Sequence, residues 1–325
     1  MLNHSIAQSP ARSLHLRIAV VGSGAIGSYY GAKLAYYGRD VHFLMRRDLA
    51  AVRKRGITVR SKMGNFRVAK VNVYESTAEI GPSDLILIAI KATSNAELLE
   101  LIPSLLHEKT MLLTLQNGFG NDDFLAEKFG EKRVLGGLCF VCVSRVEPGV
   151  IEHYDYGQIA LGEYRGYPLP RTHNIAWEFK RCGVTCTVVE SLELERWRKL
   201  VWNIPFNGLS LTAGGVDTAT ILANEKLRAD ALALMDEVIV AACKCGHFLP
   251  TAEALKQMKR TEEMGNYKPS TLIDFEGHKP LEIEAIWGEP LRRATAAGAK
   301  MPRLEKLYAQ IRELDQQNRA KLLLA

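Results

Sequence analysis

At 325 residues the chain is long enough for two domains with a core each, and its 47% hydrophobic and 24% charged content is that of a soluble globular protein. The net charge of +6 is dispersed rather than striped, which argues against nucleic acid as a partner and suits a small anionic ligand. Residues 1–15 lack the apolar segment of a signal peptide and are expected to be a flexible tail, and the longest apolar run, 85–90, is too short to span a bilayer, so a cytoplasmic protein is expected.

In chain order, residues 16–21 form an apolar, β-branched run that leads directly into Gly22-Ser23-Gly24-Ala25-Ile26-Gly27. A helical pattern follows, with Tyr29, Tyr30, Leu34 and Tyr37 on one face and Gly38 as its stop. Strand, glycine turn and helix in this order are what a dinucleotide fingerprint requires. Gly22 permits the tight turn, Gly24 lets the backbone approach a pyrophosphate, and Gly27 lets helix and strand pack closely. The helix N-terminus then offers free N–H groups to the phosphates.

A second strand is expected over 40–45, a short helix over 49–55, and a hairpin over 57–73 with its turn near Met63-Gly64-Asn65. Residues 85–90 read as a strand buried on both faces, 95–106 as a helix, and 111–115 as another buried strand ending in Gln116-Asn117-Gly118. Further strands are expected over 134–143, 150–162 and 184–189. This alternation predicts a doubly wound α/β domain over 16–190. From 191 to 325 helical periodicity dominates, over 192–210, 219–222, 225–246, 251–264, 282–298 and 301–321, so the second domain is expected to be mostly α-helical. A cleft between the two is the natural substrate site.

The six cysteines fall in three close pairs, Cys139/Cys142, Cys182/Cys186 and Cys243/Cys245, without a companion at zinc-site spacing. Buried, reduced thiols are expected and no metal. His153 and His173 are equally isolated.

The second strand ends in Leu44-Met45-Arg46-Arg47, without the Asp or Glu that would receive a ribose 2′-hydroxyl. A guanidinium there suits an adenosine 2′-phosphate, which favours NADPH over NADH, with Arg46 as the first choice of ligand and Arg47 as its substitute. Lys91, just past a buried strand, is either a cofactor ligand or a solvated cap. On the first helix of the second half, Lys199, Asn203 and Asn207 are spaced i, i+4, i+8, and each step of four turns the face by only about 40°. One ammonium and two amides therefore line one stripe of a tryptophan-rich helix, which reads as the polar wall of a pocket. Further on, Pro269-Ser270, Asp274 and Glu282 could serve as helix caps and first-turn acids, or could face the same pocket.

Taken together, the ordered motifs resemble the ketopantoate reductase family from residue 16 onward: GSGAIG, Arg46, Lys91, Gln116-Asn117-Gly118, K-x3-N-x3-N at 199–207 and PS-x3-D…E at 269–282. The resemblance implies a Rossmann-type nucleotide domain, NADPH as cofactor, a small 2-keto acid as substrate, and the reduction of 2-dehydropantoate in pantothenate biosynthesis. It implies that Lys199 donates the proton, that Glu282 touches the cofactor end of the site, and that Asn117 sits where nicotinamide meets substrate. It also implies that Asn203, Asn207 and Ser270 hold the substrate and that Cys142 contributes backbone to the cofactor. One position departs: where some members carry a further substrate-binding Asn, this chain has Asp217, whose carboxylate would repel a keto acid if it faced the pocket. Two alternatives stay open: a reductase of another 2-keto acid, and an NADPH-binding sensor without catalysis. A homodimer is compatible with the sequence.

Overall fold

The computed structural model describes residues 15–324, with side chains to 320; apart from His15, the expected tail lies outside the described residues. Ten strands form one sheet: β1 (Arg17–Val21), β2 (Asp40–Leu44), β3 (Ile57–Ser61), β4 (Phe66–Val68), β5 (Asn72–Tyr74), β6 (Leu85–Ile88), β7 (Met111–Thr114), β8 (Val134–Glu147), β9 (Val150–Glu163) and β10 (Cys186–Val188). Their order is β4-β3-β9-β8-β7-β6-β1-β2-β5, with β10 beside β9. From β5 to β8 all neighbours are parallel, and the all-apolar β6 is buried along its length because both faces of the sheet are covered.

The sheet is mixed rather than purely doubly wound. The long β9 runs antiparallel to β8 and carries β3 and β10 side by side on its far edge. This extension curls back over helix Ala25–Tyr36, which touches β1, β2, β3, β4, β8 and β9. The helix is therefore not amphipathic as expected: Tyr29, Tyr30, Ala32 and Leu34 are all buried, and only its end, Tyr36 and Tyr37, reaches solvent. Gly31 is required here, since a Cβ would come 2.5 Å from the Phe43 ring.

The other differences have local causes. The hairpin exists only between β3 and β4, while β5 crosses to the opposite edge beside β2. The helix expected over 95–106 is broken into a 3-10 turn (Ala92–Glu97), one α-turn (Leu98–Leu101) and a second 3-10 turn (Pro103–Leu105), where the proline has no N–H to continue the ladder. Helices Asn121–Phe129 and Pro170–Arg181 were not anticipated, though Pro170 stands at the first-turn position that favours it. Of the cysteines, Cys139, Cys182 and Cys186 are buried, but Cys142 and Cys245 are half-buried and Cys243 is exposed.

The helical region packs around Leu192–Thr212, which contacts Glu225–Lys244, Ala252–Met264, Ser270–Glu276 and Pro302–Leu324. Trp197, Phe206 and Trp287 fill its core. The expected helix 282–298 begins as a π-helical turn, Glu284–Gly288. Among the described residues no helix is long and apolar enough to cross a membrane.

The two regions are joined at the Gln116–Phe119 loop. The Phe119 N–H donates to the Ala285 carbonyl at 2.9 Å, and Gly118, at φ 79°, lies so close to Ala285 that a Cβ would collide with it. Arg196 reaches across to donate to the Gly118 carbonyl at 3.0 Å and forms a buried ion pair with Asp122 at 2.6 Å.

Candidate active site

The glycine turn makes the first part of the site. Gly22 has φ 104°, and any Cβ there would collide with the Ile90 amide, so only glycine closes this turn. A Cβ on Gly27 would strike the Gly22 carbonyl, which is the close packing of helix on strand. At Gly24, by contrast, a Cβ would meet nothing within 4 Å: the space above it is open. Helix Ala25–Tyr36 starts here without a side-chain cap, so its first N–H groups are free for an anion. Ser23 is fixed by donating to the Leu44 carbonyl at 2.7 Å. A cleft of about 390 Å3 runs from Gly22–Gly24 over Leu44–Asp48 to Ile90, Glu97 and Arg145. The donor set fits a dinucleotide: open backbone for a pyrophosphate, then guanidinium groups at the far end.

Those guanidinium groups are not equivalent. Arg46 is exposed and donates to Glu97 at 2.5 Å, whereas Arg145 is held by Asp48 and Arg47 has no ion pair among the described residues. Glu97 was not anticipated. It sits on the 3-10 turn that replaces the expected helix, and Arg46 holds its pKa below the usual carboxylate value.

Lys199 makes the second part. Its ammonium donates to Asn117 Oδ1 at 2.7 Å and to the Cys139 carbonyl at 2.9 Å. That carbonyl is free for a structural reason. The Ile159 N–H, opposite Cys139, turns away from β8 to the Thr185 carbonyl, so this is a pair without mutual hydrogen bonds, and Cys139 presents its carbonyl to the other edge. On that edge β7 pairs with β8 only up to Gly136. Asn117 is held in turn by a chain of amides: Gln116 donates to Asn95, Asn95 to Asn121, and Asn121 to the Asn117 carbonyl. Burial pushes the Lys199 pKa down to about 8; Arg196 and Arg260 add to the fall, against Cys139 and Glu282. The sequence leaves the balance between burial and Glu282 undecided, and the structure resolves it in favour of burial.

Lys91 and Glu282 make a third part, and Asp274 joins them. Lys91 donates to Asp274 at 2.6 Å and to Glu282 at 3.2 Å, while the other Glu282 oxygen accepts the Ala92 N–H at 2.8 Å. Burial would lower the Lys91 pKa, but the two carboxylates outweigh it and raise it above the ordinary lysine value. Lys91 is thus more than a solvated cap: its two ion pairs clasp the two regions together. The signal for Asp274 was its place four residues after Ser270, on one face of helix Ser270–Glu276.

Of the two stripe amides, Asn207 is hydrogen-bonded within the protein. It donates to the Asn203 carbonyl at 3.0 Å and accepts the Thr271 N–H at 3.2 Å. The Asn203 side chain forms no hydrogen bond among the described residues, although the residue is only 8% exposed. Ser270 is exposed at the start of its helix, and Cys142 lies half-buried on β8 with its thiol pKa raised by burial. Asp217 caps helix Thr218–Ala223, accepting the Thr220 N–H at 2.8 Å. A larger cavity of about 550 Å3 opens beyond Glu282, between Asn95, Phe119, Arg292 and Arg312. It contains neither the glycine turn nor Lys199.

Comparison with known proteins gives this arrangement a family. Residues 18–166 match the family model described as "Ketopantoate reductase PanE/ApbA", and residues 191–315 match its C-terminal counterpart. The 2-dehydropantoate 2-reductase of Nostoc sp. is 39% identical over 93% of this chain and 96% of its own length. The crystal structure of 2-dehydropantoate 2-reductase from Geobacter metallireducens superposes with a TM-score of 0.90 at 43% identity, covering 92% of this chain and 99% of that one. D-mandelate dehydrogenase in complex with NADH and anilino(oxo)acetate superposes at 0.84 with 20% identity, a likeness of fold alone. With both regions matched in order over most of its length, the chain belongs to the ketopantoate reductase family of oxidoreductases.

Proposed function

We propose that this protein reduces 2-dehydropantoate to (R)-pantoate with NADPH, a step that feeds pantothenate biosynthesis. The observation that carries the reading is Lys199. Two of its three N–H donors are taken by Asn117 and Cys139, which fixes the direction of the third, and its pKa of about 8 leaves it protonated yet ready to part with the proton near neutral pH. The Gly22–Gly27 turn and Arg46 would hold a reduced nicotinamide dinucleotide, which would supply the hydride for C2 of the keto acid. Lys199 gives its proton to the oxygen at C2 as charge develops there, and the free amide of Asn203 orients the substrate. Ser270 stands at the helix start for a second polar group of the substrate, and Asn207 acts by holding Asn203 and Thr271 in place. Glu282 and Lys91 would border the nicotinamide end, and Cys142 on β8 would lend backbone to the cofactor. Arg46, released from Glu97, takes the 2′-phosphate.

The substrate is tested by following NADPH absorbance with 2-dehydropantoate and with 2-ketoisovalerate, which lacks the hydroxymethyl group. A site built to hydrogen-bond that hydroxyl rejects the analogue far more strongly than a missing methylene alone explains. A wide margin in kcat/KM for 2-dehydropantoate is expected. Equal rates would leave a reductase of another 2-keto acid, and tight NADPH binding with neither substrate reduced would indicate a sensor.

A further inference from the structure

Arginines at the junction of the two regions are held by carboxylates: Arg196 by Asp122, Arg293 by Asp123 and Glu193, Arg198 by Glu195. Arg260, on helix Ala252–Met264, is different. It forms no ion pair and no hydrogen bond with any described residue, although it is half-buried. Its guanidinium lies instead 4.8 Å from the ring centre of Tyr156 and 5.5 Å from that of Phe140.

Both rings come from the β8–β9 hairpin, and an irregularity in that hairpin brings them together. The register slips between Phe140 and Val141, Tyr156 adopts φ 60°, and Gly157 follows at φ 121°. A bulge of this kind re-aims a side chain. Here it turns the Tyr156 ring to the side where Phe140 already faces the helices. The rings give the guanidinium a cation–π contact but satisfy none of its five N–H donors.

The same Phe140 ring centre lies 5.5 Å from the Lys199 ammonium. Two cations therefore flank one ring and are at most about 11 Å apart, one hydrogen-bonded to Asn117 and Cys139, the other without an anion. A 2-keto acid carries its carbonyl and its carboxylate on adjacent carbons. We propose that Arg260 receives the substrate carboxylate while Lys199 addresses the neighbouring carbonyl, so that Arg260 sets the preference for 2-keto acids over uncharged ketones. The inference rests on the reading of the protein as a 2-keto acid reductase. It assigns the carboxylate to a fork-shaped donor suited to hold it by two parallel hydrogen bonds, and it leaves Asn203 and Ser270 for the remaining polar groups of the substrate.

Carboxylate binding would also be felt by Lys199. Its charged and titratable surroundings are Arg196, Arg260, Cys139 and Glu282, and Arg260 is one of the two cations that push its pKa down. A carboxylate on Arg260 offsets that push, so Lys199 holds its proton more firmly with substrate bound than without.

The test uses the full-length wild-type protein with Arg260→Met and Arg260→Lys, measuring kcat and KM for 2-dehydropantoate, NADPH affinity and Tm. The neutral lactone of the same keto acid serves as a carboxylate-free probe, as substrate or as competitive inhibitor. Arg260→Met is expected to raise KM for the acid by ~10- to 150-fold, the range of a lost charge-assisted hydrogen bond, with NADPH affinity, Tm and lactone binding unchanged. Arg260→Lys recovers part of the loss. In the wild type the basic limb of kcat lies at higher pH than that of kcat/KM, and in Arg260→Met the limb of kcat/KM moves up. An unchanged KM, or an equal loss for acid and lactone, overturns the role of Arg260. A wild type that reduces no 2-keto acid overturns the proposed function first, and is seen before any variant is made.

Discussion

The two regions each contribute a lysine to the candidate site, and the two are opposites. Lys91, at the end of β6 on the sheet side, faces two carboxylates and is held more firmly charged than a free lysine. Lys199, on the helical side, faces an amide oxygen and a backbone carbonyl, with guanidinium groups behind, and its pKa falls to about 8. Burial acts in the same direction on both; the count of carboxylates reverses the outcome. A lysine clasped by acids joins structure, whereas a lysine given neutral acceptors keeps a proton it can release. Two identical side chains in one candidate site thus differ: one fastens the two regions, and the other is the acid of the proposed reaction.

The comparison breaks most directly at Lys199. Lys199→Ala is expected to lower kcat by ~10²- to 10⁴-fold, the usual contribution of a general acid. NADPH affinity and Tm should stay near wild type, because no carboxylate loses its partner. Steady-state kinetics beside a thermal melt decides it, and retained turnover would remove Lys199 from the chemistry.

Arg46 is an intermediate case, a cation paired with one exposed acid that a ligand can displace. Arg46→Ala is expected to weaken NADPH by ~10- to 150-fold, the range of a lost charge-assisted hydrogen bond, and to leave NADH almost unaffected. The need to separate Arg46 from Glu97 places the effect toward the lower end. Fluorescence titration with both cofactors measures it; equal weakening would point to Arg47 or to a fold defect.

Lys91 should show the reverse of Lys199. Lys91→Met leaves Glu282 without its cation and Asp274 with only Lys279, 3.8 Å away. Breaking a fully buried pair costs ~3–5 kcal/mol, and screening of the half-exposed ammonium reduces the expected loss to ~1–2 kcal/mol. A lowered Tm is expected, with the basic limb of the pH profile unmoved, since that limb belongs to Lys199. An unchanged Tm would mean that the clasp contributes nothing.

How much of this could be read from residues alone follows from the range of each constraint. The glycine turn was legible because one strand, three glycines and one helix start are contiguous, and Gly27 packs on the Gly22 carbonyl only five residues away; that Gly22 also lies against the Ile90 amide is a distant contact no local pattern records. The stripe of Lys199 and Asn203 was legible because helical spacing is local. The hydrogen bonding of Asn207 was not, because it depends on the Thr271 N–H, 64 positions away. Nor was the role of the Cys139 carbonyl, which is free only because β7 stops pairing at Gly136. The mixed sheet escaped for a similar reason: β3 lies beside β9, almost a hundred residues later, and no local pattern records it. The cap made by Asp217 was not singled out either: its carboxylate accepts the Thr220 N–H at the start of helix Thr218–Ala223.

The smallest effect is also the cleanest measure of the difference between the lysines. Reduction consumes a proton, and in the proposed reaction the active form of Lys199 is the protonated one. With its pKa near 8, that form is complete at lower pH and falls tenfold for each unit above the pKa. The profile of kcat/KM should therefore be flat below pH about 8 and descend above it, more than two units before an ordinary lysine at 10.5 would begin to titrate. Lys91 contributes no limb in this window, because its carboxylates keep it charged well beyond it. Asn117→Ala removes one of the two acceptors that favour the charged ammonium, so the limb in this variant should move to lower pH. A limb that stays in place after that change would assign it to a group other than Lys199.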